Sequence, residues 1–176
     1  DATMSIATEA AAIYPDNEIF PYYKAFVDML YNHNCEGAIA TGNELLAKNS
    51  ESTNALELLY ITYFEMGDYD NALEYVDKYL EVKKDSYYAM AYKLRILWES
   101  GKNDKQLEEK LFNLPSCDTS SNGVYVNALL GRTDKVKEYL TGYLAVYPTE
   151  YTNACVAENS AMKDVINDAE IAAILG

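Results

Sequence analysis

The side chains of this chain that could do acid–base, nucleophilic or metal chemistry are few and scattered. Its one histidine, His33, lies between Asn32 and Asn34 in a segment that reads as a turn, because all three residue types tolerate turn geometry. No residue beside it would orient the ring as a base. The three cysteines, Cys35, Cys117 and Cys155, stand 82 and 38 residues apart (117 − 35 and 155 − 117). Those spacings fit no zinc or redox motif, so they read as buried or half-buried free thiols. Carboxylate pairs such as Glu108-Glu109 and Asp168-Glu170 fall on predicted helix surfaces and read as solvated faces. Gly37, Gly42 and Gly142 each stand alone inside a predicted helix, which is not how a phosphate-cradling loop is built. The expectation is a protein with no catalytic residues, no metal and no cofactor.

Charge narrows the partners. The 176 residues carry 14 basic and 28 acidic side chains, a formal net charge of −14. A field of that sign repels phosphate backbones and anionic membrane surfaces. The nearest basic clusters, Lys83-Lys84 and Lys102 to Lys110, are diluted by Asp85, Asp104, Glu108 and Glu109. Nucleic acid is therefore not an expected partner. No apolar run approaches the ~20 residues that a membrane helix requires, so membrane insertion is not expected either. The chain opens on Asp1 rather than Met and reads as a processed or excised piece of a longer protein. The missing signal-peptide pattern then carries no weight, and the compartment stays unassigned.

What organises the residues is a turn that returns every thirty-odd positions. Gly67-Asp68-Tyr69-Asp70-Asn71-Ala72-Leu73-Glu74 is its clearest copy. Gly101 follows Gly67 by 34 residues (101 − 67), His33 precedes it by 34 (67 − 33), and Gly131 follows Gly101 by 30 (131 − 101). A second punctuation, the end of each second helix, falls at Pro15, Ser50, Lys84, Pro115 and Pro148. A period near 34 is the signature of stacked helical hairpins.

Each hairpin can be read in detail. Phe20 to Asn32 makes a first helix with Tyr22, Ala25, Phe26 and Met29 inside, and Cys35 to Asn49 its partner with Ala38, Gly42 and Leu45 facing in. Asn54 to Met66 follows, with Thr53 as N-cap and Leu56, Leu59, Tyr60 and Tyr63 on one face. Gly67 ends it in a left-handed turn, and Asp68 caps a helix whose inner stripe is Ala72, Val76, Tyr79 and Leu80. Residues 87 to 100 place Met90, Leu94 and Leu97 inside, and Asn103 opens a helix as a capping box with Gln106, cut short by Pro115. A loop from Ser116 to Asn122, rich in Ser, Asp, Thr and Asn, precedes a short helix from Val124 to Leu130. Asp134 to Tyr147 is that helix's partner. Tyr151 to Leu175 reads as a last hairpin with Met162, Val165, Ile166, Ile171 and Ile174 inside and Lys163, Asp164, Asp168 and Glu170 as a solvating cap. Residues 4 to 14 read as the second helix of a hairpin whose first helix is missing. The expected fold is thus all-α, a right-handed superhelix (solenoid) of antiparallel helix-turn-helix repeats. One unit spans 1–176: a half repeat at 1–16, repeats at 19–50, 53–84, 87–115 and 118–148, and C-terminal capping helices at 150–176.

These residues resemble the tetratricopeptide repeat family. Residues 53 to 84 match its pattern with Leu56, Leu59, Tyr63, Ala72 and the Gly-Asp-Tyr turn, and depart at Tyr60 and Lys84, where a small residue and a proline are usual. Residues 19 to 50 match with Tyr22, Ala25, Met29 and Ala38, and residues 118 to 148 with Gly131, Val136, Leu140 and Pro148. The copy at 87 to 115 is degenerate, with Lys93 at an inner position. The resemblance implies a protein-binding scaffold whose first helices line a concave groove. It implies groove positions at Tyr23, Val27, Leu30 and Tyr31, at Asn54, Glu57, Ile61, Phe64 and Glu65, at Tyr88, Ala91, Arg95 and Trp98, and at Tyr125 and Leu129. Family members that grip a C-terminal carboxylate use Lys, Asn and Arg at such positions. Only Arg95 is basic here, so that ligand is not expected. An aromatic and apolar groove with acidic spots suits an amphipathic helix or extended peptide carrying some positive charge. The partner is otherwise unidentified. The alternatives are a spacer or self-association (homo-oligomer) module of a longer protein, or a regulatory domain attached to an enzyme outside this chain.

Overall fold

The structure is a computed structural model that describes residues 9, 13–14, 17–113, 122–146 and 159–176. Its described elements are all helical, with no strand among the described residues: α1 (Ile19–Asn32), α2 (Cys35–Lys48), α3 (Thr53–Glu65), α4 (Tyr69–Val82), α5 (Tyr87–Glu99), α6 (Lys105–Phe112), α7 (Asn122–Leu129), α8 (Thr133–Val146), a 3-10 turn (Ser160–Met162) and α9 (Ala169–Leu175). The expected helix at 4–14, the loop at 116–122 and the segment from Tyr147 to residue 158 lie wholly or mostly outside the described residues. So do Cys117 and Cys155. The chain packs into two compact units, Asp1–Ala89 with Ile96–Lys102, and Met90–Arg95 with Asn103–Gly176.

In the first unit consecutive helices pack on one another, α1 on α2, α2 on α3 and α3 on α4. The turns between partners are made as the sequence leads one to expect. Gly67 adopts φ 73°, Gly101 φ 72°, and His33, the one non-glycine residue of positive φ among the described residues, φ 55°. Glycine enters this left-handed region without a Cβ clash, whereas histidine is strained there by about 1–2 kcal/mol. A His33→Gly variant is therefore expected to be more stable by about 1 kcal/mol, after the extra chain entropy of glycine is set against the relieved strain. Urea unfolding checks this; an equal or lower midpoint would count against it.

Asn34 holds the same turn. Its Oδ1 accepts the Gly37 N–H at 3.0 Å, and its Nδ2 donates to Asp28, whose other carboxyl oxygen takes Asn32 Nδ2 at 2.6 Å. Those two bonds, that from Asn32 first, hold the Asp28 carboxyl below its ordinary range. Elsewhere the caps shift by one residue from expectation. Ser52, not Thr53, caps α3 by accepting the Ala55 N–H at 3.2 Å. Asp104, not Asn103, caps α6 by accepting from Gln106 and Leu107. In each case the true cap is the residue whose backbone is still extended as the helix begins.

Rings tie α3 to α4 along their length. Tyr60 meets Tyr79 edge to face at 5.7 Å, Tyr63 stacks on Tyr75 at 5.5 Å, and Phe64 lies 6.2 Å from Tyr69. As the α3 number rises the α4 number falls, so the pair is antiparallel. The interior is filled by Tyr22, Ala25 and Met29 of α1, Ala38, Gly42 and Leu45 of α2, Ala72 and Val76 of α4, and nearly the whole of α3. The sequence reading placed Phe26, Tyr63, Tyr79 and Leu80 inside as well, and these are half-buried. Gly42 lets α2 approach most closely, since a Cβ there would lie 2.6 Å from Leu59 Cγ.

α1 also packs directly on α3, the helix two positions on. Asn54 Nδ2 donates to Glu18 Oε1 at 3.0 Å, and further along Thr62 Oγ1 lies 2.9 Å from Met29 Sδ. Both numbers rise together, so α1 and α3 run parallel. These two links join residues 36 and 33 apart, and Lys102 reaches Asp70 across 32.

The second unit is built around Val124, Ala128, Val136, Leu140, Met162, Val165 and Ile171. α7 packs on α8 through the turn at Gly131, which has φ 67°. Lys137 of α8 bonds Glu170 at 2.6 Å and Asp168 at 3.5 Å, while Asp168 caps α9. The pair Asp168-Glu170, expected as a merely solvated face, is therefore a tether between α8 and α9. Its carboxylates, Glu170 first, hold the Lys137 ammonium above its ordinary range. Ile166 and Ile174, expected inside, are half-buried.

Candidate functional site

The residues singled out for a groove fall into three groups by what their side chains do. Tyr23 and Tyr31 of α1 are 53% and 58% exposed, with Val27 and Leu30 half-buried beside them on the helix. Ile19, not anticipated, is also exposed and extends the row to Ile19, Tyr23, Val27 and Tyr31 at a spacing of four. That spacing puts successive side chains one turn apart on one face of α1. The signal was present in the sequence, but the alternating inner set Tyr22, Ala25 and Met29 gave the stronger pattern.

Ile61, Phe64 and Ala91 are buried, as is Leu129. Their side chains offer almost no surface to a partner. The physical reason for α3 is that α1, α2 and α4 all pack on it, so Leu56, Leu58, Leu59, Ile61, Thr62 and Phe64 are covered on several sides at once.

The remaining positions are half-buried: Asn54, Glu57, Tyr88, Arg95, Trp98 and Tyr125, while Glu65 is exposed. Asn54 bonds Glu18, and Arg95 is ion-paired with Asp164 within the second unit. Ala91 and Arg95 belong to that unit, and Trp98 to the first.

Glu57 differs from these. Among the described residues its carboxyl has no hydrogen-bond donor and no cation. Burial alone pushes its pKa from 4.5 to about 7. Glu57 is felt by Tyr79 of α4, whose phenol is raised first by burial and then by Glu57, against a hydrogen bond with Ser86. Glu57 follows Tyr23 by 34 residues (57 − 23), as Ile61 follows Val27 (61 − 27) and Glu65 follows Tyr31 (65 − 31). With α1 and α3 parallel and linked at separations of 36 and 33, these pairs occupy equivalent places on adjacent helices.

For chemistry the arrangement offers little. His33 is exposed in its turn, Cys35 is a half-buried free thiol, and no group of His, Cys, Asp or Glu among the described residues could hold a metal ion. No described helix is long and apolar enough to cross a membrane. Compared with known proteins, the sequence matches no family model and no curated protein.

Proposed function

We propose that the chain is a scaffold of tetratricopeptide-like helical hairpins, stacked as a right-handed superhelix, that binds a peptide or partner protein without catalysing a reaction. The observation that carries this reading is the parallel pairing of α1 with α3 at the repeat spacing, together with the exposed row of Ile19, Tyr23 and Tyr31 on α1. Exposed tyrosines in a row supply contact area with a polar handle, which is what a peptide-binding face needs. The partner surface is α1 together with the half-buried positions of α3, and not the buried Ile61 and Phe64. A net charge of −14 on each copy works against self-association.

The test is a panel of peptides selected on the protein from a random displayed library. A Tyr23→Ser/Tyr31→Ser variant removes mostly exposed ring area, with the edge-to-face contact of Tyr23 on Tyr22, so its unfolding free energy is expected to fall by no more than about 1 kcal/mol. Its affinity for the selected peptides is expected to fall about tenfold or more, since tyrosine anchors commonly contribute 1–2 kcal/mol each. Undiminished binding by the folded variant would remove α1 from the site.

A further inference from the structure

The structure assigns Glu57 a partner that the described residues do not supply: a cationic side chain, the ammonium of a lysine or the guanidinium of an arginine, carried by the segment that docks on the α1–α3 face. This inference rests on the scaffold reading above and names the chemistry of its ligand.

The geometry comes first. Carboxyl groups that lose water on folding are ordinarily paired with a donor or a cation, because an unpaired buried charge is costly. Glu57 is half-buried on α3 and has neither among the described residues. The groups around it offer no substitute. Toward the helix start, Asn54 donates its amide hydrogen to Glu18, which is itself an acid. Across the hairpin, Tyr79 of α4 is a phenol engaged with Ser86. No cation of the described residues acts on the Glu57 carboxyl, and two lysines of the same unit are paired with other acids, Lys78 with Glu74 at 2.6 Å and Lys102 with Asp70 at 3.3 Å. Burial pushes the Glu57 carboxyl to about 7, so near neutral pH a proton fills the place that a cation would take.

Two further features select a cation over other ligands. The chain's charge of −14 draws positive segments toward it and repels anionic ones. Tyr23, at the repeat position equivalent to Glu57 on the adjacent parallel helix, presents an exposed ring, a surface on which an alkylammonium or guanidinium rests favourably. A cation arriving at Glu57 displaces the proton and converts a costly buried acid into a charge-assisted pair. Binding at neutral pH should then release a proton to the buffer.

The experiment uses peptides selected from the same random library, read by calorimetry at about pH 6, where the Glu57 carboxyl is still mostly protonated in the free protein. The expected result is a shared Lys or Arg position among them. Replacing that residue by norleucine should weaken binding to wild type on the order of 30-fold, and far less to a Glu57→Gln variant. Calorimetry in buffers of different ionisation enthalpy should show proton release with wild type and none with Glu57→Gln. Selected peptides without a basic position, or with one whose replacement weakens both proteins equally, would overturn the inference and leave the scaffold reading standing. A library that yields no binder at all would overturn both.

Discussion

A Leu59→Ala variant is expected to be less stable than wild type by about 3–4 kcal/mol, and a Gly42→Ala variant by about 1–2 kcal/mol. The two losses should not add. Leu59 is fully buried on α3, so its truncation removes burial and leaves a cavity where α2 approaches. At Gly42 the problem is the reverse. An added Cβ would lie 2.6 Å from Leu59 Cγ and 2.8 Å from one of its methyl carbons, and Leu59 has no open space to retreat into. Alanine's better helix propensity, worth up to about 1 kcal/mol, offsets only part of that overlap. In the double variant the new methyl occupies space that Leu59 vacated. Its destabilisation is expected to fall short of the sum of the two by about 1–2 kcal/mol. Urea unfolding of the four proteins measures the coupling; additivity within about 0.5 kcal/mol would mean that the two residues do not share the contact.

The second large effect is on stability against pH. The Glu57 carboxyl is raised from 4.5 to about 7 in the folded chain, which means that folding favours its protonated form. Between these two values the native state binds more protons than the unfolded state, so unfolding free energy falls as pH rises. The favourable contribution is complete below pH 4.5 and is lost by about pH 7, a change on the order of 2–3 kcal/mol. A Glu57→Gln variant has no such ionisation. It should match wild type near pH 4 and exceed it by about 2–3 kcal/mol at pH 8, with the difference opening across that window. Chemical unfolding at pH 4, 6 and 8 reads this directly; a difference that stays constant with pH would show that Glu57 is not the titrating group. The same variant bears on the bound state. A residue that lowers stability at neutral pH while awaiting a cation fits the common conflict between a binding site and the fold that holds it.

Much of this architecture is written locally. The turns at His33, Gly67, Gly101 and Gly131 could be placed because a left-handed residue that ends a helix is a property of one position and its neighbours. The inner positions Ala38, Gly42, Leu45, Ala72 and Val76 followed from their helical spacing and are buried. Where two cap-forming residues stand side by side, as at Ser52-Thr53 and Asn103-Asp104, residue type alone could not rank them. The choice depends on which backbone is still extended when the helix starts.

The binding face was less legible, for a different reason. Periodicity along α3 marks one inner stripe, yet α1, α2 and α4 cover it from several directions, which buries Ile61 and Phe64 where a groove lining was expected. The same helix leaves Glu57 half-buried without a partner among the described residues. By itself the sequence determined the helices, their turns and the period at which they return, since these depend on contacts within a few residues. Only the tertiary structure decided which side chains stay open to a partner and which acid goes unpaired, because exposure and pairing are set by residues from other helices.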